Sequence, residues 1–70
     1  MTNENELTTR FLRLPEVIHL IGLSRSQIYK MIKQGTFPPP ILLSRRAVAW
    51  LERGIHQWMS LRVQRSQRPA

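Results

Sequence analysis

The feature that most constrains the fold is a helix stop followed at once by a helix start. Gly22 comes directly after an apolar stripe that ends at Ile21, and glycine readily adopts the left-handed conformation that terminates a helix. Two residues later Ser24 can cap a new helix, and Gln27 stands at the position that completes a capping box. A stop and a start this close together predict two short helices joined by a tight turn.

Hydrophobic spacing sets the extent of these two helices. The first is predicted over residues 15–21, with Pro15 in the first turn, where a missing N–H is tolerated. The second is predicted over residues 25–34 and ends at Gly35. In each helix apolar residues recur at i, i+3 and i+4, which gives one core-facing stripe. The stripes consist of Val17, Leu20 and Ile21 in the first helix and Ile28, Met31 and Ile32 in the second.

The rest of the chain is predicted to form a connector, a hairpin and a third helix. Three prolines make residues 37–40 an extended connector, because proline cannot donate to a sheet ladder. Apolar runs at 41–43 and 47–50 flank a polar turn, which indicates a short hairpin. The third helix is predicted to start near residues 51–53 and to reach about Val63. The predicted fold class is therefore mainly α, a winged helix-turn-helix with three helices and a short two-stranded antiparallel hairpin.

A chain of 70 residues has room for one domain. We expect a flexible leader over residues 1–9, the winged helix-turn-helix domain over residues 10–63 and a flexible basic tail over residues 64–70. The chain has no cysteine, so neither a disulfide nor a thiolate metal site can stabilise it. The absence of cysteine is compatible with a reducing cytoplasm, which is the expected location.

Charge points to a polyanionic partner. Lysine and arginine total 11 against 4 acidic residues, a formal net charge of +7. From Arg10 onward 11 bases remain but only Glu16 and Glu52 oppose them, so the net charge there is 11 − 2, or +9. Nine of the 11 bases are arginine, whose forked guanidinium suits phosphate and guanine. These observations predict a nucleic-acid partner.

The second helix of a helix-turn-helix lies in the major groove, and its N-terminal residues reach base edges. Arginine pairs with guanine and glutamine with adenine, whereas lysine, serine and tyrosine more often contact phosphates. The candidate DNA contacts on this helix are Arg25, Ser26, Gln27, Tyr29, Lys30 and Lys33. The favoured role of Ser24 is the helix cap, and Lys33 fits a solvated helix end as well as a phosphate contact. At the hairpin tip, Arg45 and Arg46 are candidate wing contacts, and the alternative is a solvent-exposed turn.

No residue pattern indicates catalysis, so the chain is predicted not to be an enzyme and to need no cofactor. His19 and His56 lie on different predicted helices, and neither has a second ligand at metal-binding spacing. The sequence contains no glycine-rich phosphate loop, no catalytic triad and no paired acids suited to acid–base work. Trp50 and Trp58 have aliphatic neighbours and are predicted to belong to the core. No apolar run approaches the length of a membrane span, and no membrane partner is expected.

Four segments together resemble the AlpA family of prophage regulators, which is similar in turn to MerR-like winged helices and to phage excisionases. They are Arg13-Leu14-Pro15-Glu16-Val17, the run from Gly22 to Tyr29, Gly35-Thr36-Phe37-Pro38, and the run from Arg46 to Trp50. The resemblance covers about residues 10–63. It implies a DNA-binding protein of an integrated element that regulates transcription, for example of an integrase gene, or directs excision, or does both. It also places the start of the recognition helix at 24–29 and the wing at 46–50.

Three classes of function follow from these observations. The first is sequence-specific binding of double-stranded DNA, with integrase or RNA polymerase as a further partner and with cooperative or tandem binding to repeated sites. The second is a protein–protein modulator that inhibits an acidic partner such as a response regulator or an integrase. The third is a basic amphipathic helix on a membrane surface, which the broken helices and the proline run argue against.

Overall fold

A computed structural model describes residues 10–67 and confirms the winged helix-turn-helix fold. Three helices pack with a small antiparallel sheet, and the helical residues outnumber the strand residues. In chain order the elements are β1 (Phe11–Leu12), α1 (Leu14–Ile21), α2 (Arg25–Gln34), β2 (Ile41–Ser44), β3 (Ala47–Leu51) and α3 (Glu52–Ser66).

Glycines in the left-handed conformation end the first two helices, as the sequence predicts. Gly22 has φ of 75° and donates its N–H to the carbonyl of Ile18 at 2.8 Å. Gly35 has φ of 79°, and the next residue, Thr36, donates its N–H to the carbonyl of Met31 at 2.9 Å. These bonds satisfy carbonyl groups that the helix ends would otherwise leave without partners. The chain therefore turns sharply after each helix, and the bounds of α2 are those predicted.

The predicted hairpin forms, and it gains a third strand. β2 and β3 pair antiparallel, with a shift of register between Leu42 and Ser44. β1 pairs antiparallel with the other edge of β3, which gives the strand order β1-β3-β2. The sequence pattern did not predict β1, because a strand of two residues is too short to show an alternating pattern.

The hydrophobic core joins all three helices to the sheet. Its buried members are Leu12, Val17, Ile28, Phe37, Trp50 and Ile55. Trp50 is almost fully buried, and its indole N–H donates to the carbonyl of Pro38 at 2.9 Å. The prediction that Trp50 belongs to the core is confirmed, and its hydrogen bond ties the proline connector to the central strand.

Helix bounds differ from the prediction at two places. α1 begins at Leu14, one residue before Pro15. α3 ends at Ser66, so the predicted start of a tail at residue 64 lies inside the last turn of this helix. No glycine or proline interrupts that turn, and the Ser66 hydroxyl donates to the carbonyl of Arg62 at 3.1 Å. The predicted leader over residues 1–9 and the end of the predicted tail, residues 68–70, lie outside the described residues.

Candidate nucleic-acid interface

α2 buries one face and leaves the other open to solvent. Ile28 is completely buried, and Met31 and Ile32 pack against the core beside it. All six residues predicted to contact DNA from this helix are exposed: Arg25, Ser26, Gln27, Tyr29, Lys30 and Lys33. The helix therefore presents a continuous polar and cationic face to solvent, and none of its three bases is covered by the rest of the described chain.

Arg25 and Tyr29 contact each other on this open face. The two residues are one helical turn apart, and the guanidinium carbon of Arg25 lies 5.7 Å from the centre of the Tyr29 ring. A cation over an aromatic face at this distance is weakly attracted to it. The contact orients Arg25 at the first position of α2 while its guanidinium stays accessible.

A capping box forms the N-terminus of α2. The Gln27 backbone N–H donates to the Ser24 hydroxyl oxygen at 3.2 Å, and the Ser24 N–H donates to the Gln27 side-chain oxygen at 3.0 Å. The favoured role of Ser24 as a cap is confirmed. The same box engages the Gln27 carbonyl oxygen, one of the two groups that a glutamine uses on adenine. In this conformation the Gln27 side-chain oxygen is occupied, whereas its amide nitrogen makes no hydrogen bond within the box.

Arg45 and Arg46 form the two-residue turn between β2 and β3, and both are exposed. Within residues 10–67 only glycines have positive φ, so this turn is not of the type that Asn-Gly favours. The register shift between Leu42 and Ser44 accompanies the turn. Two guanidinium groups thus stand at the tip of the hairpin.

One arginine binds both acidic residues of the described chain. Arg10 lies 3.6 Å from Glu16 and 3.3 Å from Glu52, measured between guanidinium nitrogen and carboxylate oxygen. Residues 10–67 contain no other acid. Across this part of the chain, the cations of α2 and of the hairpin tip have no acidic partner.

Arg13 is a cation near the wing that sequence analysis did not select. Its Nε–H donates to the carbonyl of Val48 on β3 at 3.0 Å, and the residue remains exposed. This bond fixes the side chain to the central strand and leaves the terminal nitrogens free to contact an anion. The sequence carries no local signal for the contact, because 35 positions separate the two residues.

Among residues 10–67, no group of three or more His, Asp or Glu side chains is arranged to hold a metal ion. The helices in the same range lack the combination of length and hydropathy that a membrane span requires. Trp58 packs edge-on against Phe37, with ring centres 4.8 Å apart, so it borders the core and stays partly exposed.

A glycine-terminated helix, a tight turn, a capped second helix with an open cationic face, and a hairpin tipped by arginines define a winged helix-turn-helix protein. The chain belongs to the AlpA family, because the family model described as prophage CP4-57 regulatory protein (AlpA) matches residues 10–63.

Two relatives support this assignment. The chain is 36% identical over 64 residues to the DNA-binding transcriptional activator AlpA of Escherichia coli K12, covering 83% of this chain and 91% of that protein. It is 54% identical over 54 residues to a protein of Enterobacteria phage P4 described as uncharacterized protein ORF88. That match covers 77% of this chain and 61% of the phage protein, so the chain spans about three fifths of the phage relative's length.

Proposed function

We propose that this chain is a sequence-specific DNA-binding regulator of a prophage or integrated element. The observation that carries the proposal is the open cationic face of α2, which no acid among the described residues neutralises. A helix of this kind fits the major groove, and its N-terminal residues then face base edges. The similarity to an E. coli protein described as a DNA-binding transcriptional activator also supports the proposal.

Each of the six candidate residues of α2 takes a role that its chemistry allows. Arg25, oriented by the Tyr29 ring, reads guanine through a forked contact. Gln27 contributes through its amide nitrogen, since its oxygen belongs to the capping box. Ser26, Tyr29, Lys30 and Lys33 hold phosphates and set the register.

The wing completes the interface. Arg45 and Arg46 reach the flanking minor groove or the backbone, as basic residues inserted there commonly do. Arg13 joins them as a phosphate contact, because its Nε is already fixed to Val48 and little side-chain freedom remains to be lost. Two elements on one duplex give a small protein more contact area than the helix alone.

In this proposal the chain controls transcription, for example of an integrase gene, and acts in the cytoplasm without catalysing a reaction. RNA polymerase or integrase is the protein partner, and a role in excision is the alternative use of the same DNA contacts. The salt dependence of binding is the physical signature: the logarithm of affinity falls with that of salt concentration, with a slope of about −0.9 for each phosphate contact.

The test is titration of the purified full chain with promoter and attachment-site duplexes of its own element. We expect a complex that weakens steeply with salt, and we expect the double variant Arg25→Ala/Lys30→Ala to lose at least about tenfold in affinity. Arg53→Ala is the matched control, since Arg53 is an exposed arginine on α3, outside α2 and the wing. Failure to form any complex at low ionic strength contradicts the proposal.

A further inference from the structure

A groove runs between the connector after α2 and one side of α3. Its volume is about 480 Å³, within the range of about 300–1,000 Å³ common for ligand pockets. One wall is the segment 35–39 and the other is α3 from Gly54 to Arg65. None of the DNA contacts proposed above lines it.

The walls of the groove are held in place by side-chain to backbone hydrogen bonds. The Trp58 indole N–H donates to the carbonyl of Thr36 at 2.8 Å, and the Trp50 indole N–H donates to the carbonyl of Pro38 at 2.9 Å. The Phe37 ring packs against Trp58 from the core side. A groove with fixed walls loses little conformational entropy when it is filled, which favours binding.

The floor of the groove is apolar and its rim is basic. Trp58 is partly exposed there, and Leu61 leaves 52% of its surface open to solvent. Arg62 lies with its guanidinium carbon 4.9 Å from the centre of the Trp58 ring, and Arg65 is exposed one turn away. None of the lining residues is acidic. Aromatic residues and arginine are the types most enriched where protein partners bind tightly.

From this chemistry we infer that the groove docks a segment of another protein that carries apolar side chains beside acidic ones. The apolar side chains fill the floor along Trp58 and Leu61, and the carboxylates pair with Arg62 and Arg65. An amphipathic helix in an apolar groove is a common form of such recognition. The groove starts where α2 ends, roughly 15 Å along the helix axis from Arg25 at 1.5 Å per residue. The segment therefore docks while the N-terminal half of α2 faces DNA.

Gly54 provides a sharp test. A Cβ built at Gly54 meets no atom within 4 Å, and Gly54 lines the groove, so we expect a larger side chain at this position to occupy part of the groove. Gly54→Leu is expected to block the docking segment without disturbing the core. Ser60→Leu is the matched control, because it adds the same side chain to an exposed position of α3 outside the groove.

The probe is a synthetic amphipathic peptide of leucine and glutamate, measured by calorimetry against the full chain. Two further peptides replace its glutamates by glutamine or its leucines by glutamate. We expect the leucine–glutamate peptide to bind at least about tenfold more tightly than either, and Gly54→Leu to remove that preference while Ser60→Leu keeps it. Circular dichroism checks that both variants fold. A further variant, Arg65→Glu, is expected to lower the affinity for the leucine–glutamate peptide as Gly54→Leu does.

Several outcomes overturn the inference. Equal affinity of wild type and Gly54→Leu for the leucine–glutamate peptide shows that the peptide does not bind in the groove. Displacement of the peptide by a short duplex shows that it occupies the DNA-binding face instead. Self-association of the chain that Gly54→Leu abolishes assigns the groove to a second copy. Gly54→Leu is expected to bind DNA like wild type, so failure of this inference and failure of the proposed DNA binding give different results.

Discussion

Arg25 and Lys30 share the open face of α2 but differ in what they can recognise. The guanidinium of Arg25 presents a rigid fork at the helix start, and the Tyr29 ring orients it. The ammonium of Lys30 is a compact charge on a flexible stem, which suits a phosphate. Under the proposed function, we therefore expect Arg25 to read a base and Lys30 to contact a phosphate.

We expect Arg25→Ala to cost about 1–3 kcal/mol and to relax preference at one base pair, because it removes a forked contact. Lys30→Ala should weaken binding to all sequences alike and lower the salt slope by about 1. Binding to a panel of single-base-pair variants of the target site, at several salt concentrations, measures both effects. Identical behaviour of the two variants contradicts the division of roles.

Gln27 shows what sequence patterns resolve at the scale of one residue and what they leave open. The same glutamine fits the capping box by its spacing from Ser24 and fits DNA reading by its place at the helix start. The structure confirms the box, with hydrogen bonds of 3.0 and 3.2 Å. Spacing predicts both uses, but only the coordinates show that the capping box engages the side-chain oxygen of Gln27.

At the scale of elements, the arginines of the hairpin tip lie outside the hydrophobic core, so they can be replaced without removing a core contact. Arg45 and Arg46 are exposed and make no ion pair with Glu16 or Glu52. We expect Arg45→Gln/Arg46→Gln to leave the midpoint of thermal unfolding unchanged while lowering DNA affinity, and to reduce the salt slope by about 1 for each arginine that binds a phosphate. Affinity measured across a salt series, beside a melting curve, checks this. An unchanged slope assigns the tip to solvent rather than to DNA.

α3 contains a glycine whose cost to the helix can be measured directly. Gly54 is helical and has open space where a Cβ would lie. Gly54→Ala is expected to stabilise the fold by about 1 kcal/mol, because glycine is a poorer helix former than alanine. For a domain of this size that corresponds to a rise of about 4–8 °C in melting temperature. Calorimetric melting tests it, and a lower melting temperature contradicts the prediction.

Local signals explain why some elements are predicted better than others. α2 is bounded on one side by the Ser24 box and on the other by Gly35, so both ends are encoded nearby. β1 depends on pairing with β3 some 40 positions away, as in the pairs Phe11 with Leu51 and Leu12 with Trp50. Long-range pairing leaves no periodic trace in two residues. The groove beside α3 was missed for the same reason, since the connector and the helix meet only in the folded chain.

At the scale of the whole molecule, net charge and small size together determine how such a protein would gain specificity on DNA. The longest extent of the described structure is 44 Å, a length equal to about 13 base pairs at 3.4 Å each. Residues 10–67 carry ten bases and two acids, or 10 − 2 = +8, so free copies repel one another. A single small module covers only about 600–1,000 Å² of protein surface on DNA. Specificity is therefore expected to come from several copies on neighbouring sites.

We predict that the binding curve is steeper for a DNA fragment that carries two target sites than for a DNA fragment that carries one. We expect DNA phosphates to offset the mutual repulsion of neighbouring copies, and we expect the chain to sediment as a monomer when DNA is absent. Footprinting and sedimentation measure the two properties. One isolated monomer site of high affinity, with no cooperativity on longer fragments, contradicts the prediction.

The two tryptophans differ in exposure in a way that gives the molecule two built-in optical reporters. Trp50 is buried in the core with 1% of its surface exposed, so we expect its emission to change mainly when the chain unfolds. Trp58 is partly exposed between Phe37 and Arg62, so we expect its emission to change when that side of α3 is covered. With no other tryptophan in the chain, both indoles are expected to report unfolding, and an emission change that occurs without unfolding is expected to come from Trp58 and can be observed without attaching a dye.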